Sequence, residues 1–164
     1  MIQKVIQKGS PILNQKCQRV ENFQSIKSIV EDLNDTIDYL KTAYAFPRGI
    51  GLAAPQIGQS IQITLVEFVN KKRYVLINPE IIKNSKSKIR IKEGCISFFE
   101  YRALVPRYEY VKIKAYNEEG EAFVIEGYKD EAMLLQHEID HLNGILYIDH
   151  LPNGEKDLFL KETL

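Results

Sequence analysis

The sequence predicts an α+β fold, with antiparallel sheets packed around a C-terminal helix and a second helix near the N-terminus. Three observations support this prediction. Apolar residues with helical spacing occupy the first third of the chain, alternating or β-branched segments fill the middle, and a second helical pattern follows them. The chain has 164 residues, the length of one domain, so we expect a single domain over residues 1–164.

The first third of the chain predicts an extended arm followed by a long helix. Residues 1–22 contain loop-forming residues, and Asn22 can cap a helix that runs to about Phe46, because Pro47 follows. One buried face is predicted from the three-and-four spacing of Ile26, Ile29, Leu33, Ile37, Leu40 and Tyr44. We expect this helix to be scaffold.

The stretch from Gly49 to Gly58 predicts a tight loop that passes close to a ligand. Its glycines, proline and small alanines form a poor helix or strand, and it is less polar than an ordinary surface loop. Gln56 is its one side chain that can donate hydrogen bonds to such a ligand.

The middle of the chain predicts a series of strands, which cover Ile61–Phe68, Arg73–Ile77, Lys88–Glu93, Tyr110–Tyr116 and Ala122–Tyr128. Hairpin turns are predicted at Asn70–Lys72 and Asn117–Gly120. Five basic residues alternate in part with Ile89 and Ile91, which indicates the solvent-exposed face of a strand; they are Lys83, Lys86, Lys88, Arg90 and Lys92.

The composition excludes a general affinity for nucleic acid or for a membrane surface, because 22 basic and 22 acidic residues give no net charge. Two cysteines argue against a disulfide scaffold and leave a Cys17–Cys95 pairing open. The N-terminus lacks the apolar core of a signal peptide, and no uncharged apolar run reaches membrane-spanning length. We expect a cytoplasmic protein.

An H-E-x-x-H motif lies in the second helical pattern. Residues four apart share one helix face, with Cβ atoms about 5–6 Å apart, so His137 and His141 can bind one metal ion. Glu138 is then placed to take a proton from a metal-bound water. Asp130 can cap this helix and Gly144 can end it. A single histidine is more often structural, but two of the chain's 3 histidines fall in this motif. The predicted fold therefore packs its sheets around a metal-binding helix.

Two histidines leave a catalytic metal one protein ligand short of the usual three. One long zinc-peptidase motif places a third histidine six residues after the second, but this chain has Tyr147 there. Two candidates remain. One is Glu162 near the C-terminus, and the other is Cys95 in the stretch Glu93–Ser97, since a thiolate is a good metal ligand.

Three blocks together give the chain a family resemblance. They are Gly49–Gln56, Glu93–Ser97 and Gln136–His141, and they match the patterns G-x-G-L-A-A-P-Q, E-G-C-x-S and Q-H-E-x-D-H in the same order. In these blocks the sequence resembles the peptide deformylases. The resemblance implies a metal-dependent hydrolase that removes the formyl group from the N-terminal formylmethionine of newly made polypeptides, by attack of a metal-bound water on the formyl carbon.

The resemblance also implies roles for particular residues. The metal ligands are Cys95, His137 and His141, and they hold one divalent metal ion, natively Fe²⁺, with Zn²⁺, Ni²⁺ or Co²⁺ in purified protein. Glu138 transfers the proton, and the Gln56 side chain and the Ile96 backbone N–H stabilise the oxyanion. The expected substrate contacts are Ile50, Gly51 and Gly94 by backbone pairing, Met133 and Ile91 in the methionine pocket, and Arg102, which contacts either substrate or Glu93.

The expected partners are N-formylmethionyl peptides and nascent chains, with transient ribosome contact, no membrane and no sequence-specific nucleic acid, and a monomeric or weakly oligomeric state. The chain departs from common family patterns in three places. Ile96 stands where Leu is usual, Phe98–Tyr101 replaces a Pro-Gly turn, and the short tail predicts no long C-terminal helix. Aromatic residues in Phe98–Tyr101 would pack in the core or meet another chain. His150 is predicted to have a surface or capping role.

Two other functions compete with this interpretation. A metallopeptidase would use the H-E-x-x-H motif with Glu162 or another ligand in place of Cys95, and it would leave Gln56 and its glycine loop unexplained. A non-enzymatic metal-binding or ribosome-associated paralogue would lack turnover, although every expected catalytic residue is present.

Overall fold

Two helices and eight strands form the regular structure of residues 1–161, the part of the chain that the computed structural model describes. The helices are α1 (Lys27–Ala43) and α2 (Asp130–Leu142). The strands are β1 (Ile50–Ala53), β2 (Ile63–Glu67), β3 (Arg73–Asn84), β4 (Lys88–Cys95), β5 (Phe98–Tyr108), β6 (Tyr110–Tyr116), β7 (Ala122–Tyr128) and β8 (Phe159–Leu160). This arrangement confirms the predicted α+β fold.

The strands form two antiparallel sheets. A five-stranded sheet has the order β1-β2-β3-β6-β7, and a three-stranded sheet has the order β4-β5-β8. Strands β1 and β4 are therefore edge strands of different sheets. Helix α2 contacts strands of both sheets, and α1 covers β1 and β2.

Two hydrophobic clusters fill most of the core. The first joins the apolar face of α1 to β1, β2 and β3, through Val30, Leu33, Ile37, Leu40, Leu52, Leu65 and Ile77 among others. The second lies between α2 and the centre of the five-stranded sheet, with Leu76, Ile113, Leu135 and Ile139 at its middle. Each fully buried aliphatic side chain contributes about 1.5–3 kcal/mol, so these clusters fix both helices on one sheet.

The predicted N-terminal helix is shorter than expected at both ends. Asn22 caps a 3-10 turn at Phe23–Ser25 instead of the α-helix, and its side chain accepts a hydrogen bond from the Gln24 N–H. Helix α1 ends at Ala43, because Tyr44 is extended, and the Tyr44 side chain is 45% exposed instead of buried.

The predicted loop at Gly49–Gly58 is partly a strand. Ile50–Ala53 pairs with β2 and is completely buried, and a 3-10 turn at Ala54–Ile57 follows. The prediction was wrong here because strand preference depends on neighbours as much as on residue type. Small residues are poor strand formers alone, but they fit where another element packs closely on the backbone.

Strands β3 and β5 also differ from the prediction. Strand β3 continues past Ile77 to Asn84, with a shift in register between Ile77 and Glu80 where Asn78 has a positive φ of 49°. Strand β5 was not predicted, because charged residues and Pro106 hide its alternation. The bounds of β6 and β7, and both predicted hairpin turns, are confirmed.

The predicted cap of the motif helix is wrong, whereas its predicted end is confirmed. Lys129 is the N-cap, and the Asp130 carboxylate instead pairs with Arg48. Gly144 lies just beyond the helix with a φ of +72°, a conformation that glycine adopts without strain. Glu162, the alternative third metal ligand, lies outside the described residues.

The exposed face predicted for the lysine-rich strand is confirmed. Lys88, Arg90 and Lys92 are exposed on β4, and Ile89 and Ile91 are half-buried. Both cysteines are buried and free, so Cys17 and Cys95 are not paired. None of the helices within residues 1–161 is long and apolar enough to cross a membrane.

A buried carboxylate in β2 joins three elements. Glu67, which is 5% exposed, accepts hydrogen bonds from Lys41 of α1 at 2.7 Å and from Arg73 of β3 at 2.6 Å. Burial raises the pKa of Glu67, but the hydrogen bonds from Lys41 and Arg73 outweigh it and hold the pKa below its usual value.

We predict that Glu67→Gln lowers the free energy of unfolding at pH 7 by about 1–3 kcal/mol, because two charged donors lose their partner. A carboxylate with a depressed folded-state pKa stabilises the protein above its unfolded pKa, and this contribution is lost as the pH falls through the folded value. The difference between the two proteins should therefore shrink below about pH 5. Urea unfolding at pH 7 and at pH 3 measures it.

The control is Glu126→Gln. Glu126 is exposed and pairs with Lys112 on the surface, where solvent screens the interaction, so its loss should cost clearly less than that of Glu67. A Glu67→Gln difference that stays constant between the two pH values would contradict the role of the charge.

Candidate metal centre

Three buried side chains converge where α2 passes the end of β4. Cys95 is the last residue of β4, and His137 and His141 lie one turn apart on α2. One potential ligand atom from each lies within 4.8 Å of the other two, and Cys95 Sγ is 3.3 Å from Nε2 of His141. The fold thus brings together the three residues that the sequence predicted as metal ligands.

The electrostatics of this group favour a thiolate. Burial raises the pKa of the Cys95 thiol, but the charges and hydrogen bonds of His141 and His137 outweigh it and hold that pKa well below its usual value. The pKa of His137 is raised well above its usual value, because Cys95 and Glu93 outweigh the effect of burial. A thiolate is the form of cysteine that binds metals.

A buried network orients His137. Its Nδ1 lies 3.0 Å from Oε2 of Glu93, which leaves Nε2 to face the centre. Glu93 also accepts hydrogen bonds from Arg107, at 2.6 Å from Nε and 3.0 Å from Nη2. Partners of this kind fix the ring orientation of metal-binding histidines. The predicted contact between Glu93 and Arg102 is replaced by this pairing with Arg107.

The network continues to His150, for which the sequence predicted a surface or capping role. Arg107 Nη1 donates to Asp140 Oδ2 at 2.5 Å, and Nε2 of His150 lies 2.7 Å from the same oxygen. Burial raises the pKa of Asp140, but His150 and Arg107 outweigh it and keep that pKa below its usual value. The network therefore contacts the motif helix at His137 and at Asp140, the residue before His141.

Glu138 is held against β1 and β2 of the five-stranded sheet. Its side chain is 2% exposed, and its Oε2 accepts a hydrogen bond from the Thr64 hydroxyl at 3.1 Å. A Cβ atom added to Gly51 would lie 2.5 Å from Cδ of Glu138, so only glycine leaves room for this carboxyl group. Burial raises the pKa of Glu138 above its usual value.

Gln56 points its amide nitrogen toward the centre. Its Oε1 accepts the Ala53 N–H at 2.8 Å, and its Nε2 donates to Ser97 Oγ at 3.1 Å and lies 3.6 Å from Cys95 Sγ. Ile96 follows Cys95 directly, in the short turn between β4 and β5. Both predicted oxyanion donors therefore belong to segments that adjoin Cys95.

The residues predicted to pair with a substrate backbone lie on the two edge strands. Ile50 and Gly51 belong to β1, and Gly94 belongs to β4. Arg102 lies across Gly94, because a Cβ atom there would come within 2.5 Å of its Cζ. Its guanidinium donates to the carbonyl groups of Phe99 and Tyr101 at 2.8 and 2.7 Å.

The two residues predicted for the methionine pocket lie on different elements. Met133 lies in α2 and is buried, and Ile91 lies half-buried on β4. Their place in a methionine pocket stays a prediction.

The unusual stretch Phe98–Tyr101 packs within the chain. It forms the start of β5, where Phe98 stacks on Tyr101 at 4.9 Å between ring centroids and meets Tyr147 at 6.1 Å. Phe99 contacts Tyr44 at 4.6 Å. Of the two expected uses of these aromatic rings, the structure favours packing in the same chain.

Three residues that support the site had no predicted role, namely Thr64, Arg107 and Asp140. Thr64 contacts Glu138, Arg107 contacts Glu93, and Asp140 contacts Arg107. A signal was present for one of them. Thr64 is a polar residue in the apolar run Ile63–Val66, and a buried hydroxyl there requires a partner. Arg107 gave no such signal, because an arginine is usually exposed and its sequence neighbours do not show that it is buried beside Glu93.

Comparison with known proteins agrees with this geometry. The sequence model described as Polypeptide deformylase matches residues 2–157. The chain is 39% identical over 157 residues to the peptide deformylase of Heliobacterium modesticaldum, covering 95% of this chain and 98% of that protein. The chain belongs to the peptide deformylase family. A peptide deformylase of Buchnera aphidicola from Schizaphis graminum is 43% identical over 140 residues, covering 84% of this chain and 81% of that protein.

Solved structures of peptide deformylases share the fold. The crystal structure from Thermus thermophilus has a TM-score of 0.84 and 35% identity, covering 93% of this chain and 87% of that one. A Met-Ala-Ser-bound class I type b peptide deformylase from Acinetobacter baumannii has a TM-score of 0.81 and 27% identity, covering 92% and 99%. As a peptide deformylase, the chain is a metal-dependent hydrolase that removes the N-formyl group from nascent peptides.

We predict that Gly51→Ala destabilises this peptide deformylase by about 1–3 kcal/mol, because the added methyl group overlaps the Glu138 carboxyl group. The matched test is the double variant Gly51→Ala/Glu138→Ala, in which the overlapping side chain is gone. Urea unfolding of the four proteins in the cycle should show a clearly smaller cost of Gly51→Ala in the Glu138→Ala background. Equal costs in both backgrounds would contradict the close approach.

Proposed function

We propose that Cys95, His137 and His141 bind the metal of this deformylase, in one catalytic domain that spans residues 1–164. The observation that carries the proposal is the buried convergence of these three side chains within 4.8 Å. One thiolate and two imidazoles form a donor set with three protein ligands, which is typical of catalytic metal sites.

We propose Fe²⁺ as the native metal, with Zn²⁺, Ni²⁺ or Co²⁺ able to occupy the same ligands in purified protein. Cysteine and histidine ligands suit all of these ions, and availability decides among them. When bound, such a metal acts as a Lewis acid that activates water at neutral pH.

Glu138 is the proposed proton carrier. Its carboxyl group takes a proton from the attacking water and delivers it to the departing amine of the peptide. The position of Glu138 supports this role, because it follows the proposed ligand His137 directly on α2. Its carboxyl group is bonded to the Thr64 hydroxyl and lies against the Gly51 backbone. Its raised pKa, caused by burial, suits a group that must both accept and release a proton.

Gln56 and Ile96 are the proposed donors to the oxyanion that develops on the formyl oxygen. The amide of Gln56 is oriented by its bond to the Ala53 N–H, so its Nε2 is presented to the site. Ile96 would contribute its backbone N–H, so the exchange of Leu for Ile leaves this role intact. Such pre-oriented donors need no rearrangement during the reaction.

The proposed substrate is an extended formylmethionyl peptide that lies between the edge strands β1 and β4. Ile50, Gly51 and Gly94 would pair with its backbone, in the manner of an added strand. Met133 and Ile91 would line the methionine pocket, and Arg102 would contact the peptide from its position over Gly94. The Met-Ala-Ser-bound relative supports a short linear peptide as ligand.

We propose that the protein works in the cytoplasm as a monomer or weak oligomer. Its substrates there are nascent chains, and transient contact with the ribosome would bring it to them. A neutral net charge supports recognition of the peptide over binding to nucleic acid or membranes.

We predict that metal-loaded protein purified without oxygen releases formate from formyl-Met-Ala-Ser and does not hydrolyse the acetylated peptide. Glu138→Ala should lower kcat by about 10²–10⁴-fold while the metal content stays unchanged. Formate release and metal analysis of the same samples measure both. Full activity of Glu138→Ala would contradict its role, and no release by fully metal-loaded wild-type protein would favour the non-enzymatic paralogue.

We also predict that Cys95→Ala abolishes stoichiometric metal binding, whereas Cys17→Ala retains it. Cys17 is a matched control, because it is the other buried cysteine and packs in a separate cluster with Ala53 and Leu142. Equilibrium dialysis followed by elemental analysis gives the metal content. Retention of the metal by Cys95→Ala would instead favour the metallopeptidase with a different third ligand.

A further inference from the structure

Thr64 is a polar side chain in an apolar strand. Its neighbours in β2 are Ile63, Leu65 and Val66, and the whole residue is 0% exposed. The Thr64 hydroxyl faces away from α1 toward the motif helix, where it lies 3.1 Å from Oε2 of Glu138. The same hydroxyl lies 3.1 Å from the Leu52 carbonyl oxygen in β1.

The two oxygens compete for one hydrogen. A threonine hydroxyl has a single hydrogen to donate, so at any moment it donates either to Oε2 of Glu138 or to the Leu52 carbonyl oxygen. In both cases the hydroxyl oxygen stays within hydrogen-bond distance of Oε2. An isosteric valine would fill the same space and provide neither bond.

Strand β1 lies close to the Glu138 carboxyl group and limits the space around it. A Cβ atom added to Gly51 would lie 2.5 Å from Cδ and 2.6 Å from Cγ of Glu138. The carboxyl group thus lies flat over the Gly51 backbone, with Oε2 bonded to Thr64. Oε1 is the oxygen left on the side of β1, the edge strand along which the proposed substrate would lie.

We propose that Thr64 is a positioning residue for the deformylation reaction: it holds Oε2 of Glu138, so that Oε1 is the oxygen that exchanges the proton. This inference rests on the proposed role of Glu138 as proton carrier. Within residues 1–161 the Thr64 hydroxyl has two hydrogen-bond partners, Oε2 of Glu138 and the Leu52 carbonyl, and neither is a proposed metal ligand or substrate contact.

The test compares Thr64→Val with Thr64→Ser in formate release from formyl-Met-Ala-Ser. We expect Thr64→Val to lower kcat by about 10–100-fold, because a misplaced catalytic group loses about that much rate. KM should change less than about 3-fold, since the substrate contacts remain, and Thr64→Ser should recover most of the lost rate because it restores the hydroxyl. A kcat of Thr64→Val equal to wild type overturns the proposal.

Thr36→Val is the matched control for loss of a buried hydroxyl. Thr36 is 1% exposed in α1, and its hydroxyl donates to the Asp32 carbonyl and accepts from the Gln3 N–H, neither of which belongs to the metal centre. Thr36→Val should lower stability without changing kcat. An equal loss of kcat in Thr36→Val and Thr64→Val would show a general effect of destabilisation and would overturn the positioning role.

Two further measurements separate the possible failures. In a Glu138→Ala background, Thr64→Val should have no additional effect on kcat, because the group it positions is absent. If Glu138→Ala is fully active, the proposed function is wrong about its proton carrier. If Glu138→Ala is inactive and Thr64→Val is normal, only the role of Thr64 is wrong.

A readout independent of activity is the position of Glu138 in crystals of the metal-loaded variant. We expect the carboxyl group to take more than one orientation in Thr64→Val and a single one in wild type and Thr64→Ser. A single unchanged orientation in Thr64→Val overturns the proposal. If Thr64→Val does not fold, Thr64→Ala provides the same comparison, with a smaller side chain at the same position.

Discussion

The geometry of the metal centre depends on the buried ion pair between Glu93 and Arg107. These residues belong to β4 and β5, so the pair fixes the hairpin that presents Cys95. Oε2 of Glu93 contacts His137, and Nη1 of Arg107 contacts Asp140, and both of those partners lie on α2. Two charged side chains thereby set the distance between the strand that carries the cysteine and the helix that carries the histidines.

A buried ion pair stabilises a site only when every charged atom has a partner, because desolvation of unpaired charge is costly. Arg107 meets this condition, since Nε and Nη2 donate to Glu93 and Nη1 donates to Asp140. Asp140 in turn has His150 as a second partner. These hydrogen-bonded neighbours orient the His137 ring. Such fixed orientation of a ligand favours tight metal binding.

The parts of the fold and site that were predictable are those encoded by local spacing. His137 and His141 share a helix face whatever surrounds them, and the alternation in β6 and β7 survives in any sheet. Prediction failed where the conformation or burial of a residue depends on a partner that is distant in the sequence. β1 is a strand because β2 pairs with it, and Arg107 is buried because Glu93 accepts hydrogen bonds from two of its three nitrogens and Asp140 from the third. The family resemblance brought Cys95 to the site, but no spacing rule could show that Arg107, not Arg102, pairs with Glu93.

Each of the two sheets positions one of two adjacent side chains on α2. His137 and Glu138 are adjacent on α2, yet the ring of His137 is held by β4 and β5, whereas the carboxyl group of Glu138 is held by β1 and β2. Changes in β4 or β5 should therefore act mainly on metal affinity, and changes in β2 mainly on proton transfer. Thr64 on β2 is an example of this separation. Its hydroxyl contacts the carboxyl group of Glu138 from the sheet that carries none of the three metal-binding side chains.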